Sequence, residues 1–210
     1  MDRRMFTRVA LAAVVAVLLS ACAGIAGPDP GGRPPPFPTP FPAAPVEVQG
    51  VGTVLEQGGR PELCLGAVAE SYPPQCGGPP IIGWDWDAVD GEETANEVTW
   101  GAYAVWGEWD GETFAVTRDP VLAALYDPMA TPLDPNPWDE GLPAGPLPEA
   151  DAIALQAQLP DAVPGLLSTT PVNGRLVVQV MFDDGTLQAA FDERYGDDAV
   201  VVISSLQPVE

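Results

Sequence analysis

Prolines divide this chain before any other feature does. Nine fall within residues 28–45 and seven within 128–148, and a residue with a fixed φ and no N–H cannot populate a helix interior or a central strand at that density. Two stretches are left that can bury a core, residues 46–126 and 148–210. The first proline-rich stretch, "PDPGGRPPPFPTPFPAAP", has no periodic apolar pattern and reads as an extended tether. At about 3 Å per residue in the polyproline conformation, its length corresponds to roughly 50 Å. The second, within 127–147, reads as an interdomain linker.

Ahead of the tether, "MDRRMFTR" carries three arginines, and the apolar run "VALAAVVAVLL" after it is too short to cross a bilayer as a stable helix. Residues 1–21 therefore read as a secretory signal peptide. Leu19-Ser20-Ala21-Cys22 resembles the lipobox of bacterial lipoproteins. That resemblance implies cleavage before Cys22, a diacylglycerol on its sulfur, and anchoring at the extracytoplasmic face of the cell membrane. Arg3-Arg4-Met5-Phe6 is similar to a twin-arginine export signal.

The formal charge is −22, and loss of Asp2, Arg3, Arg4 and Arg8 with the signal takes it to −24. Such a chain repels phosphate, so a nucleic-acid partner is not expected. It contains neither His nor Lys. Ser-His-Asp and Cys-His machinery and His-ligated metals are excluded with them. No cofactor is expected. Enzymatic chemistry would rest on carboxylates, with Glu108 and Asp110 or Asp183 and Asp184 as acid and base of a cell-wall glycan hydrolase. The expectation is that the chain is not an enzyme.

Residues 46–126 read as a small disulfide-bonded β domain. "VEVQGVGTVLEQ", "ELCLGAV", "PIIGWDW", "TWGAYAVWGEW" and "ETFAVT" are strand-like runs parted by Gly, Pro or Asp-Gly. A two-residue turn at Asp110-Gly111 would pair Val105 with Val116, Gly107 with Phe114 and Tyr103 with Arg118, with Trp106 on the opposite face. Strand count suggests a five-stranded OB-like barrel or sandwich. "RDPVLAALYDP" suggests a short helix capped by Asp119.

Residues 148–210 read as an α+β domain, a helix plus a three-stranded antiparallel sheet. "PEADAIALQAQLP" supplies the helix. "LVVQVMFDDGTLQAAFDERY" suggests a hairpin about Asp184-Gly185, with Leu176, Val178, Val180, Phe182, Leu187, Ala189 and Phe191 on one face, and "AVVVISSL" a third strand.

Cys64 and Cys76 are the pair left once Cys22 is lipidated, and in an exported chain a disulfide is expected of them, contributing about 3 kcal/mol. The blocks "GTVLEQGGRPELCLGAVAESYPPQCGGPPIIGWDW", "GAYAVWGEWDGETFAVT" and "LQAAFDERYGDDAVVVISSLQPV" resemble uncharacterised secreted lipoproteins of high-GC Gram-positive bacteria. The resemblance implies an address and a two-part layout, and no activity.

Asp85, Asp87 and Asp90 in "GWDWDAVDGEETANEVTW" offer carboxylates spaced along a turn, the pattern of a calcium loop, although Asp90, Gly91 and Glu97 fall one residue late against the EF-hand spacing. Five of the six tryptophans crowd into residues 84–109. Trp84, Trp86, Trp106 and Trp109 are a candidate ligand surface for sugar rings or an apolar partner, and core filling is the competing reading. The function expected is that of a membrane-anchored extracytoplasmic binding or accessory module with an envelope protein or glycan partner. The alternatives are the glycan hydrolase and a solute- or calcium-binding lipoprotein.

Overall fold

The computed structural model describes residue 37 and residues 42–127, 136–139, 141–163 and 165–209. Cys22 and the remainder of the signal and tether lie outside these residues. Seven of the eight strands of the first sheet are β1 (Val48–Gln57), β2 (Pro61–Cys64), β3 (Ile81–Ile82), β4 (Glu93–Ala95), β5 (Val98–Trp109), β6 (Phe114–Val116) and β7 (Val121–Leu122). There follow α1 (Glu149–Gln156), α2 (Leu159–Ala162), β8 (Leu166–Val172), β9 (Arg175–Val180), α3 (Thr186–Tyr195), β10 (Val200–Ser204) and β11 (Gln207–Pro208). The chain is mainly β: a nearly closed barrel-like sheet, then helices with a three-stranded sheet.

The barrel is built on β1 and β5, antiparallel from Val48↔Gly107 to Gln57↔Val98. β2 extends it beyond β1, while β6 and then β3 extend it beyond β5. A bridge between Glu62 and Pro80, with Leu63 N–H donating to Pro79 O at 2.9 Å, brings the two ends together. Close approach of backbones there requires glycine, since a Cβ on Gly78 would lie 2.0 Å from Leu63 O. Alternation along the strands sends Val48, Val54, Leu63, Ile81, Tyr103, Val105, Trp109 and Phe114 inward.

The β5–β6 hairpin differs from the sequence expectation in its turn. Asp110 Oδ1 accepts from the N–H groups of Glu112 and Thr113, and Oδ2 from Thr113 Oγ1, so residues 110–113 all belong to the turn. Gly107 then pairs with Val116 and Trp109 with Phe114. The slip is by two residues and leaves every side chain on its expected face. Phe114 still covers Gly107, where a Cβ would meet its ring at 2.7 Å. The helix expected at 118–128 is instead β7 and a 3-10 turn, Ala123–Leu125, because β7 pairs with Tyr103 and Ala104 of β5.

In the second sheet the order is β10-β9-β8. β8 and β9 form a hairpin about Asn173-Gly174, whose φ values of 42° and 74° fit the primed two-residue turn. The expected Asp184-Gly185 hairpin is absent, and "TLQAAFDERY" is α3. Asp183 accepts from the N–H groups of Leu187 and Gln188, and Asp184 from that of Thr186. Both carboxylates thus cap a helix start. The chain returns through α3, so β10 lies parallel to β9 and the sheet is mixed rather than wholly antiparallel. Leu187 and Phe191 reach the core as an i, i+4 helical pair instead of as alternate strand residues.

Leu155, Leu159, Leu176, Val178, Val180, Leu187, Phe191 and Val200 form the second core. Phe37, from the proline-rich segment, joins it. Its ring lies 4.5 Å from that of Phe191 beneath the Arg194 guanidinium, and it is 3% exposed. Residues 141–147 are fastened to the β8–β9 turn: Gly145 and Leu147 N–H donate to Asn173 O and Gly174 O. Arg175, also 3% exposed, gives both a bidentate pair to Asp198 and bonds to Pro143 O and Asn173 O. Met181, Phe182 and Leu206 enter the barrel core, and β11 pairs with β1.

Candidate functional site

The outward face of β1 and β5 is the part of the barrel that the core does not use. Inward residues of β5 are Tyr103, Val105, Gly107 and Trp109, so Val98, Trp100, Ala102, Ala104, Trp106 and Glu108 point the other way. Their partners on β1 include Leu55 opposite Trp100, Val51 opposite Ala104 and Gln49 opposite Trp106.

Two short coverings sit on this wall. At one end, Cys64 and Cys76 are at disulfide distance with Cα atoms 6.1 Å apart, and they pack with Leu55, Val98 and Trp100. Tyr72, in the loop so closed, meets the Trp100 ring edge-on at 5.3 Å. At the other end the turn after β7 lays Tyr126 edge-on to Trp106 at 5.4 Å. Gln49 Oε1 accepts from both Trp106 Nε1, at 3.0 Å, and the Tyr126 hydroxyl, at 3.2 Å. One carboxamide thereby fixes two aromatic side chains from separate elements. Between the two coverings Val51 and Ala102 stay exposed, Val51 at 48%, and Leu125 projects beside Tyr126 at 79% exposure. The wall is apolar and aromatic, and its polar anchors are already paired.

The four tryptophans of the sequence expectation do not come together. Trp106 is on the outer wall, half-buried. Trp84 and Trp86 pack with Tyr103, ring centroids 5.0 and 6.3 Å from it, and partly bury themselves against the barrel core. Trp86 Nε1 donates to Glu56, while Trp84 Nε1 is buried without a partner. Trp109 is 4% exposed, faces the interior and so belongs to no surface; its Nε1 is also unpartnered. Gln49 and Tyr126 escaped the sequence reading. Gln49 sits two residues from Val51 on the same strand face, a period-2 signal that identifies the wall once β1 is known.

The carboxylates of the calcium pattern take other parts. Asp85 accepts from Asp87 N–H and caps the 3-10 turn Trp86–Ala88, while Glu97 occupies the β4–β5 turn at φ 63°. Among the described residues no group of three or more Cys, Asp or Glu side chains converges as a metal site would require.

Three of the four carboxylates in the acid pairs at 108–110 and 183–184, Asp110, Asp183 and Asp184, are likewise committed. Bonds from Thr113 N–H, Glu112 N–H and the Thr113 hydroxyl hold the Asp110 carboxyl below its ordinary range. Thr186, through side chain and backbone, does the same to Asp184. Glu108 is exposed on the outer wall. Elsewhere, burial raises the Tyr103 hydroxyl, with the nearby charges of Glu92 and Asp90 adding to the effect. Neither a known family, a curated protein nor a solved structure matches the chain.

Proposed function

We propose that the chain is a membrane-anchored extracytoplasmic lipoprotein, lipidated at Cys22, that acts as a non-enzymatic binding or accessory module at the cell surface. It would belong with the secreted lipoproteins of high-GC Gram-positive bacteria, and its partner would be an envelope protein or glycan. The observation that carries this reading is the outer wall of β1 and β5, where Trp106 and Tyr126 are held rigid by Gln49 beside exposed Val51 and Leu125. Rigid aromatic area beside apolar side chains is what contact surfaces use, since little entropy is lost on binding.

The hydrolase alternative asks one carboxyl of each pair to keep a proton near neutrality. Asp110 and Asp184 are shifted the other way. That removes Asp110 and Asp184 as the acid of either pair.

A photoreactive residue placed at Leu125 of the anchored protein tests the reading, with Ile153 on α1, also exposed, as the control. Adducts to an envelope component should form from position 125 alone and should be lost with Trp106→Ala. Equal labelling from both positions, or none, defeats the proposal. Cleavage of peptidoglycan fragments by purified protein, abolished by Glu108→Gln, would install the hydrolase in its place. The anchor has its own test: Cys22→Ser should move the protein out of the membrane fraction.

A further inference from the structure

The three-stranded sheet ends in two strands, β8 and β10, each with one side unpaired by any other strand. An edge of that kind is a template for another chain. On β10, Ala199 O accepts from Leu176 N–H at 3.0 Å and so faces β9. Backbone groups alternate sides along a strand, which puts those of Val200, Val202 and Ser204 on the outer edge.

A residue of a parallel neighbour would donate its N–H to the carbonyl of one edge residue and accept from the N–H two residues on. Gln188 of α3 makes that pair of bonds with its side chain. Nε2 donates to Val200 O at 2.9 Å, and Oε1 accepts from Val202 N–H at 2.8 Å. A further bond from Nε2 to Asp192 Oδ1, 2.8 Å, holds the amide in place. Farther along the same edge, Ser204 O accepts from Gln207 Nε2. On the opposite edge a glutamine caps one carbonyl and a proline removes the donor that would follow it. Gln156 Nε2 donates to Thr169 O at 2.8 Å, and two residues on, Pro171 has no N–H to offer.

We infer that Gln188 is a surrogate strand residue, closing the β10 edge against pairing with a second copy of this chain. The occupant that it excludes is set by geometry: a free β10 edge is self-complementary between two copies, and an anchored protein meets its own copies at high local concentration.

Gln188→Leu keeps the side-chain size and removes both bonds. The variant should self-associate with rising concentration in analytical ultracentrifugation. Its Val202 amide should exchange with deuterium about tenfold or more faster than wild type while monomeric, and regain protection in the associated form. A folded variant that stays monomeric overturns the inference, and so does an oligomer whose Val202 amide remains unprotected. Should Gln188→Leu not fold, Gln188→Glu and Gln188→Arg each keep half of the amide's function. Val202 exchange and self-association must then rise with Arg, which cannot accept, and not with Glu. Equal behaviour of the two overturns it as well.

Discussion

Phe37→Ala measures how much the proline-rich segment contributes to the fold. The side chain is 3% exposed, stacked at 4.5 Å on Phe191 and covered by Arg194 at 4.0 Å. Truncating a buried Phe to Ala costs about 3–5 kcal/mol when the cavity cannot collapse. The low end of that range is the expectation, and about 0.5–1 kcal/mol of it is the cation–π contact. A loss of about 3 kcal/mol in a unit of this size should lower Tm by roughly 6–12 °C. Differential scanning calorimetry of the Cys22→Ser protein, with and without Phe37→Ala, gives the number. Phe37→Leu, which keeps most of the volume, should lose less than half as much. If Phe37→Ala melts within about 2 °C of its parent, the ring contributes no net stability and the segment is the solvated tether that its composition suggests.

Three further outcomes follow from named contacts. Asp198→Ala strands a buried guanidinium and should cost about 3 kcal/mol, more than Arg175→Met, because the Asp198 side chain is 45% exposed and rehydrates once its partner has gone; denaturant titration showing the reverse order would refute this. Glu47, held low by bonds from Thr117 and then Arg118, behaves like Asp110 and Asp184: each contributes stability that is complete above its unfolded pKa and lost as pH falls through the lower folded value. Tm should therefore be level above about pH 5 and fall on acidification below it, less steeply in Asp110→Asn; an unchanged slope in that variant counts against the turn assignment. Cys64→Ser with Cys76→Ser should cost about 3 kcal/mol and loosen Tyr72 from Trp100, visible as a change in near-ultraviolet circular dichroism; an unaltered spectrum would separate the covering from the crosslink.

Strand identity in the barrel was legible because alternation is a local property. Val105, Phe114 and Tyr103 could be placed inward from spacing alone, and a register error of two residues left that placement intact. The second sheet was harder. Val178, Val180, Leu187 and Phe191 fit a strand alternation, yet 187 and 191 also fit a helix, and a short segment offers too few positions to separate the periods. What decides it is the pair of carboxylates at 183 and 184, which satisfy backbone donors at a helix start as readily as Asp-Gly makes a turn. The stronger hairpin signal, Asn173-Gly174, went unused, and with it β8. Of the site, Trp106 was recognised as outward-facing. Tyr126 was not, because its position depends on β7 pairing with β5 rather than on anything nearby in the chain. Phe37 had no signal among prolines that all read as solvated.

The β1–β11 pairing makes closure of the barrel depend on the far end of the described chain. Val48 stands opposite Pro208, with Val209 N–H donating to Glu47 O at 2.9 Å, and Leu206, Met181 and Phe182 complete the barrel interior. β1, β2 and β5 can therefore pair early in folding, but the interior cannot shut until residues near 208 have docked. Until then the apolar inner face stands open to solvent, and contacts of such sequence separation form slowly. A chain cut short of Leu206 should therefore keep β1 and β5 paired around an interior that cannot close.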